Sequence, residues 1–108
     1  MAPEEQGALT EPVFYILLAL YQPMHGYGIM QYVQELTNSR VTLGPGTLYG
    51  ALYTLVEKGW IRALDTARDS RRKEYVITAK GQKVVLQELE RLQELLTHGR
   101  TIIGGKRL

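Results

Sequence analysis

The chain has 108 residues, the length of one domain, with 44% hydrophobic residues, 22% charged residues and a formal net charge of +2, a composition typical of an ordinary globular protein. It contains no cysteine, which excludes disulfides, thiolate zinc sites and cysteine nucleophiles. No apolar run approaches the roughly 18–20 residues of a membrane-spanning helix, and the apolar residues 13–21 follow acidic residues, unlike a signal peptide, so we expect a cytoplasmic protein without membrane contact.

The first half of the chain predicts two helices. Residues 1–9 show no periodicity and are expected to be a disordered leader. The first helix begins at Thr10, a capping residue, with Pro12 in its first turn, and it ends before Pro23. The second helix spans Gly26–Leu36, because apolar residues recur there at helical spacing. Its predicted buried stripe is Ile29, Val33 and Leu36.

A short apolar segment and a third helix follow. Residues 41–43 are β-prone and brief. Gly44 and Pro45 then open a helix that Gly59 ends, since glycine readily adopts the left-handed conformation of a helix stop. The predicted apolar face of this helix consists of Leu48, Leu52, Leu55 and Val56.

After Gly59 the apolar period changes from helical to alternating. Residues 60–64 and 73–78 predict two strands, and the polar residues 66–72 between them predict the loop of a hairpin. Thr78 can cap a last helix that runs to residue 103, and residues 104–108 are expected to be a flexible tail.

The element order is helix, helix, helix, hairpin, helix. We therefore predict a mainly α fold with a small β-hairpin: a winged helix-turn-helix plus a C-terminal dimerisation helix. Residues 10–78 would form the DNA-binding domain, with the third helix as recognition helix and the hairpin loop as wing. Residues 79–103 would form the dimerisation helix.

Three motifs, in order along the chain, resemble the PadR family of bacterial transcriptional repressors. They are HGYG at residues 25–28, GPGTLY at residues 44–49 with the following leucines, and RRKEYVIT at residues 71–78. The resemblance covers residues 13–96, and the single helix after the hairpin is similar to the short members of the family. It implies a homodimer that binds a palindromic operator in double-stranded DNA and that a small-molecule effector or another signal releases.

The candidate DNA-binding residues lie on the third helix and in the hairpin loop. The outward face of the helix offers hydroxyls and methyl groups to a major groove, and its open N-terminus offers N–H groups to a phosphate. The loop lies in a basic segment: residues 62–83 contain seven basic residues and three acidic ones. The candidates are Pro45, Gly46, Thr47, Tyr49, Tyr53, Arg68, Arg71, Arg72 and Lys73. Two alternatives stay open: Tyr49 packs in the core, and the charged loop is merely solvated.

The last helix carries a regular apolar seam that predicts a dimer interface. Its predicted members are Val85, Leu89, Leu92, Leu96 and Ile103. The alternative is that part of this seam packs on the first helix of its own chain. In multidrug-responsive members of the family a tryptophan of this helix lines the effector pore. By ungapped alignment Leu96 stands at that position, so we expect an aliphatic effector site at Leu92 and Leu96, or none.

Nothing in the sequence indicates an enzyme, a metal site or a cofactor. His25 and His98 lack carboxylate partners at metal-ligand spacing, and His25 is expected to make a structural hydrogen bond. A different class of function remains as the alternative: a winged-helix protein-interaction module that does not bind DNA. The uncharged third helix is the observation that favours it.

Overall fold

The structure is a computed structural model that describes residues 7–64 and 73–105. Within these residues the four helices and three strands follow one another in an order that confirms the predicted class. They are α1 (Glu11–Ala19), β1 (Met24–His25), α2 (Gly26–Leu36), α3 (Pro45–Lys58), β2 (Ile61–Leu64), β3 (Glu74–Ile77) and α4 (Ala79–Ile103).

Local signals set the ends of the helices, as predicted. The Thr10 hydroxyl accepts a hydrogen bond from the Val13 N–H at 3.3 Å and so caps α1. At the end of α3, Gly59 has a φ of 78°, the left-handed conformation of a helix stop. Thr78 joins two elements: its hydroxyl accepts from the Gly81 N–H at the start of α4 and donates to the Gly59 carbonyl at 2.6 Å.

The sheet has three antiparallel strands in the order β1-β3-β2, one more than the predicted hairpin. In the hairpin, Ile61 lies opposite Ile77, and Leu64 lies opposite Glu74. On the other edge of β3, the two residues of β1 pair with Tyr75 and Glu74. The β-prone residues 41–43 are not a strand; the side chains of Val41 and Leu43 are buried in the core instead, and Met24 and His25 form the third strand.

One hydrophobic core joins the three N-terminal helices, the sheet and the start of α4. It contains the leucines of α3 and Trp60, whose ring has the Lys58 ammonium 5.0 Å from its centroid. Two residues assigned to buried stripes are exposed instead. Leu36 is the last residue of α2, and Val56 lies beside the Leu48–Leu52–Leu55 stripe of α3 rather than within it.

The α4 helix lies on the core only through its first half. Gly81, Val84, Val85 and Glu88 are buried, whereas every residue from 92 to 100 is exposed. Val85 is 2% exposed and packs in the core of its own chain, so this member of the predicted dimer seam is not available to a partner. The radius of gyration is 16.1 Å, above the roughly 13 Å of a compact 100-residue domain, because the second half of α4 projects away.

The two ends of the chain were predicted as leader and tail. Residues 1–6 and 106–108 lie outside the described residues, but Leu9, assigned to the leader, packs against the core. In the described part of the chain, no helix is long and apolar enough to cross a membrane.

Candidate nucleic-acid interface

The outward face of α3 is uncovered in the structure. Its inward face buries Leu48, Leu52 and Leu55, as predicted, and each is at most 2% exposed. With 3.6 residues per turn, the residues between these leucines point away from the core. The predicted contact residues of this helix are therefore all exposed: Pro45, Gly46, Thr47, Tyr49 and Tyr53.

Tyr49 faces outward and also packs against the start of α2. Its side chain is 48% exposed, yet its hydroxyl lies against Gly26 at the start of α2, where a Cβ would overlap it. Burial raises the pKa of the Tyr75 hydroxyl on β3, and the neighbouring Tyr49 adds to this rise. Tyr49 thus packs against the start of α2 outside the buried core and presents half of its surface outward. Its contact with DNA stays a prediction.

Two further side chains at the start of α2 belong to this region. The His25 Nδ1 accepts a hydrogen bond from the Gly28 N–H at 3.1 Å and caps α2, which confirms its expected structural role. Tyr27 is 61% exposed, and its hydroxyl accepts from the Gln31 side-chain amide. Tyr27 is not among the predicted contact residues.

The hydroxyls and methyl groups of α3 give its outward face a neutral, hydrogen-bonding surface. From Pro45 to Val56 the helix has no charged residue. The Thr54 hydroxyl donates a hydrogen bond to the Gly50 carbonyl at 3.2 Å. The hydroxyl is therefore satisfied within the helix, and the methyl group of Thr54 remains on the outward face. Such a face can contact base edges without the desolvation cost of a buried charge.

The strands β2 and β3 flank the predicted charged loop in the sequence. Lys73 is exposed and directly precedes β3, whose first residue, Glu74, pairs with Leu64 at the end of β2. The other predicted wing residues, Arg68, Arg71 and Arg72, lie outside the described residues. The chain leaves the sheet at Leu64 and re-enters it at Glu74.

The second half of α4 presents the remaining seam residues on one face. Leu89, Leu92, Leu96 and Ile103 follow Val85 at spacings of four, three, four and seven, and all four are exposed, Ile103 by 88%. This is the same face that the first half of α4 buries against its own core. The described residues therefore leave this apolar stripe uncovered past the edge of the body.

Comparisons with known proteins agree with this architecture. Residues 14–88 match a family described as the transcriptional regulator PadR-like family. An uncharacterized 37.1 kDa protein in transposon Tn4556 of Streptomyces fradiae is 33% identical over 73 residues, which are 68% of this chain and 20% of that protein. The chain therefore spans about a fifth of the length of this relative.

Several solved structures share the fold. A transcriptional regulator from Clostridium thermocellum is 23% identical with a TM-score of 0.71, covering 84% of this chain and 90% of its own. RosR of H. salinarum is 26% identical with a TM-score of 0.68, covering 89% and 91%. A PadR family transcription regulator from Clostridium difficile R20291 is 21% identical with a TM-score of 0.71, covering 87% and 99%. The family and the two neighbours from Clostridium are described as transcriptional regulators.

Proposed function

Because the chain belongs to the PadR-like family of transcriptional regulators, we propose that it represses transcription by binding double-stranded DNA as a homodimer. The observation that carries this proposal is the uncovered outward face of α3, with Thr47, Tyr49 and Tyr53 exposed beside the β2–β3 hairpin. In this proposal residues 10–78 bind DNA and residues 79–103 form the dimer.

Helix and wing have separate tasks in the proposed complex. The neutral face of α3 enters the major groove, where Thr47, Tyr49 and Tyr53 contact base edges and the N-terminus at Pro45 and Gly46 meets a phosphate. The wing residues Arg68, Arg71, Arg72 and Lys73 contact the phosphate backbone and supply the salt-dependent part of the affinity.

The exposed stripe of α4 supports the homodimer. Leu89, Leu92, Leu96 and Ile103 are apolar side chains that a second copy of the same helix would cover. A two-fold dimer presents two recognition helices, so the proposed operator is a palindrome with half-sites about one DNA turn apart.

A hydrophobic small molecule bound between the two α4 helices, at Leu92 and Leu96, would change the distance between the recognition helices and release the DNA. The residues at this level are aliphatic. The effector class that fits is therefore a compact apolar compound rather than a planar one that stacks on an aromatic ring.

The uncharged α3 also suits a second candidate function, a winged-helix module that binds another protein and not DNA. From Pro45 to Val56 the helix lacks the lysines and arginines that commonly contact phosphate. The salt dependence of binding distinguishes the two candidates. Binding of DNA weakens as the salt concentration rises, whereas a neutral protein contact is nearly independent of ionic strength.

The proposal is tested with duplex DNA selected by the wild-type protein from a random-sequence library. Arg71→Ala combined with Arg72→Ala is expected to weaken binding of the selected duplex, because two phosphate contacts are lost. The slope of log K against log salt should fall in magnitude by about 1.8 for two contacts, as measured by fluorescence anisotropy at several salt concentrations.

Lys80→Ala with Lys83→Ala is the matched control, because it removes the same charge from exposed positions at the start of α4. It is expected to change the slope much less. Equal affinity and slope in the Arg71/Arg72 variant and the wild type would overturn the wing assignment. A wild-type protein that selects no duplex would overturn the DNA-binding proposal itself.

A further inference from the structure

Gly50 stands at the centre of the outward face of α3. It lies four residues after Gly46 and three before Tyr53, on the side opposite the buried Leu48–Leu52–Leu55 stripe. Tyr49 and Tyr53 flank it on one side, and Thr47 and Thr54 flank it on the other. At the middle of the proposed recognition surface the helix backbone therefore carries no side chain, and residues with hydroxyl groups lie on both sides of it.

The fold gives no reason for a glycine at this position. Gly50 lies well inside the helix and is not among the described glycines with positive φ, which are Gly59 and Gly105. A Cβ built on it meets nothing within 4 Å among the described residues beyond its chain neighbours and the local helix backbone. Glycine in the interior of a helix is unfavourable relative to alanine, so residue 50 lowers helix stability without relieving a contact inside the protomer.

Gly26 and Gly81 show what a structurally required glycine looks like in the same chain. At Gly26 a Cβ would overlap the Tyr49 hydroxyl, and at Gly81 it would overlap the backbone carbonyl of Trp60. Gly50 has neither contact. Glycine is the residue that lets a backbone approach a ligand closely, and the ligand of this face, under the proposed function, is DNA.

We infer that Gly50 is a positioning residue that sets how deeply α3 enters the major groove. Its bare backbone allows the helix to lie close to the base edges, so that the short side chains of Thr47 and Thr54 reach them. A methyl group at residue 50 would hold the helix away from the bases, while the phosphate contacts of the wing would stay in place. This inference rests on the proposed DNA-binding function.

The test is Gly50→Ala, measured for stability and for two kinds of DNA. The variant is expected to unfold at a temperature about 5 °C higher, because alanine favours the helix. Its affinity for the duplex selected by the wild type should fall about tenfold or more, whereas its affinity for a duplex of unrelated sequence should stay the same, because that binding is electrostatic.

Thr97→Ala is the matched control. Residue 97 is exposed on α4, away from the apolar stripe, and the substitution also raises helix propensity, so it should leave both DNA affinities unchanged. If Gly50→Ala binds the selected duplex as tightly as the wild type, the inference is wrong although the proposed function stands. A wild type that fails to bind any selected duplex removes the proposed function first.

Discussion

At the scale of single residues, Glu88 is the buried charge that connects the N-terminal segment with α4. Its side chain is 6% exposed and accepts two hydrogen bonds from the Arg91 guanidinium, at 3.0 and 2.7 Å. Arg91 holds the pKa of the Glu88 carboxyl below its ordinary value of 4.5, burial opposes this, and the Leu9 backbone N–H adds to the lowering. The folded chain thus stabilises the ionised form of Glu88 relative to the unfolded chain.

This pKa shift predicts how stability depends on pH. Because the pKa of Glu88 is lower in the folded state, its contribution is complete above pH 4.5 and is lost as the pH falls through the folded value. Thermal unfolding between pH 3 and 7 should therefore show a steeper loss of Tm below about pH 5 in the wild type than in Glu88→Gln. Glu90→Gln, at an exposed position of the same helix, should follow the wild-type curve; parallel curves for wild type and Glu88→Gln would contradict the assignment.

At the scale of elements, α4 has two halves with different surroundings. The first half completes the core through Val84 and Val85, and the second half carries the same face into solvent through Leu89, Leu92 and Leu96. Glu88 and Arg91 lie at the junction of the two halves. Because α4 packs in the core of its own chain and also carries the proposed interface, the position of a second copy would depend on how α4 packs against the winged domain.

The proposed interface predicts the effect of a charge on the stripe. Leu96→Asp should leave the protomer folded, because residue 96 is exposed, but it should weaken the dimer at least about a hundredfold, since each copy would bury a carboxylate. Analytical ultracentrifugation over a range of protein concentrations measures this change, and circular dichroism verifies the fold.

Leu86→Asp is the control for this element. Leu86 is 58% exposed and Leu96 is 47% exposed, but Leu86 stands in the series with Glu90, Gln93 and Thr97, outside the apolar stripe. Its substitution should leave the dimer intact. A dimer that tolerates Leu96→Asp and dissociates with Leu86→Asp would move the interface to another face of α4.

At the scale of the whole molecule, the two recognition helices of the proposed dimer bind one operator together. The protomer extends over 58 × 35 × 21 Å, with the second half of α4 projecting from the winged domain. If the two copies meet along this projection, the distance between the two α3 helices is fixed by α4 and not by a flexible linker. The spacing between half-sites then becomes a property of the protein.

This geometry predicts a response to the length of the operator. Inserting about 5 bp between the half-sites turns one of them to the opposite face of the duplex, so a dimer of fixed geometry can reach only one. Affinity for the altered duplex should fall toward the non-specific level, a loss of about a thousandfold at physiological salt. Equal affinity for the two duplexes in a gel-shift titration would show that each protomer binds independently.

Much of the fold follows from local chemistry that the sequence displays. Thr10, Gly44 with Pro45, Gly59 and Thr78 determine where helices begin and end, because capping and left-handed turns depend on a few adjacent residues. The change from helical to alternating periodicity after Gly59 determines the hairpin. The same periodicity identified the outward face of α3, and so the candidate contact residues on it, because burying the leucines leaves the others exposed.

The remaining features depend on residues that are distant in the sequence, and only the tertiary structure decided them. Met24 and His25 form a strand because the free edge of β3, fifty residues later, lies beside them, and two residues carry no strand pattern of their own. Val85 belongs to the core although it continues the seam of Leu89 and Leu92, since periodicity gives the face of a helix but not the point at which that face leaves the body. Likewise, the contact of Tyr49 with Gly26 requires the packing of α3 on α2, a non-local interaction that no local pattern encodes.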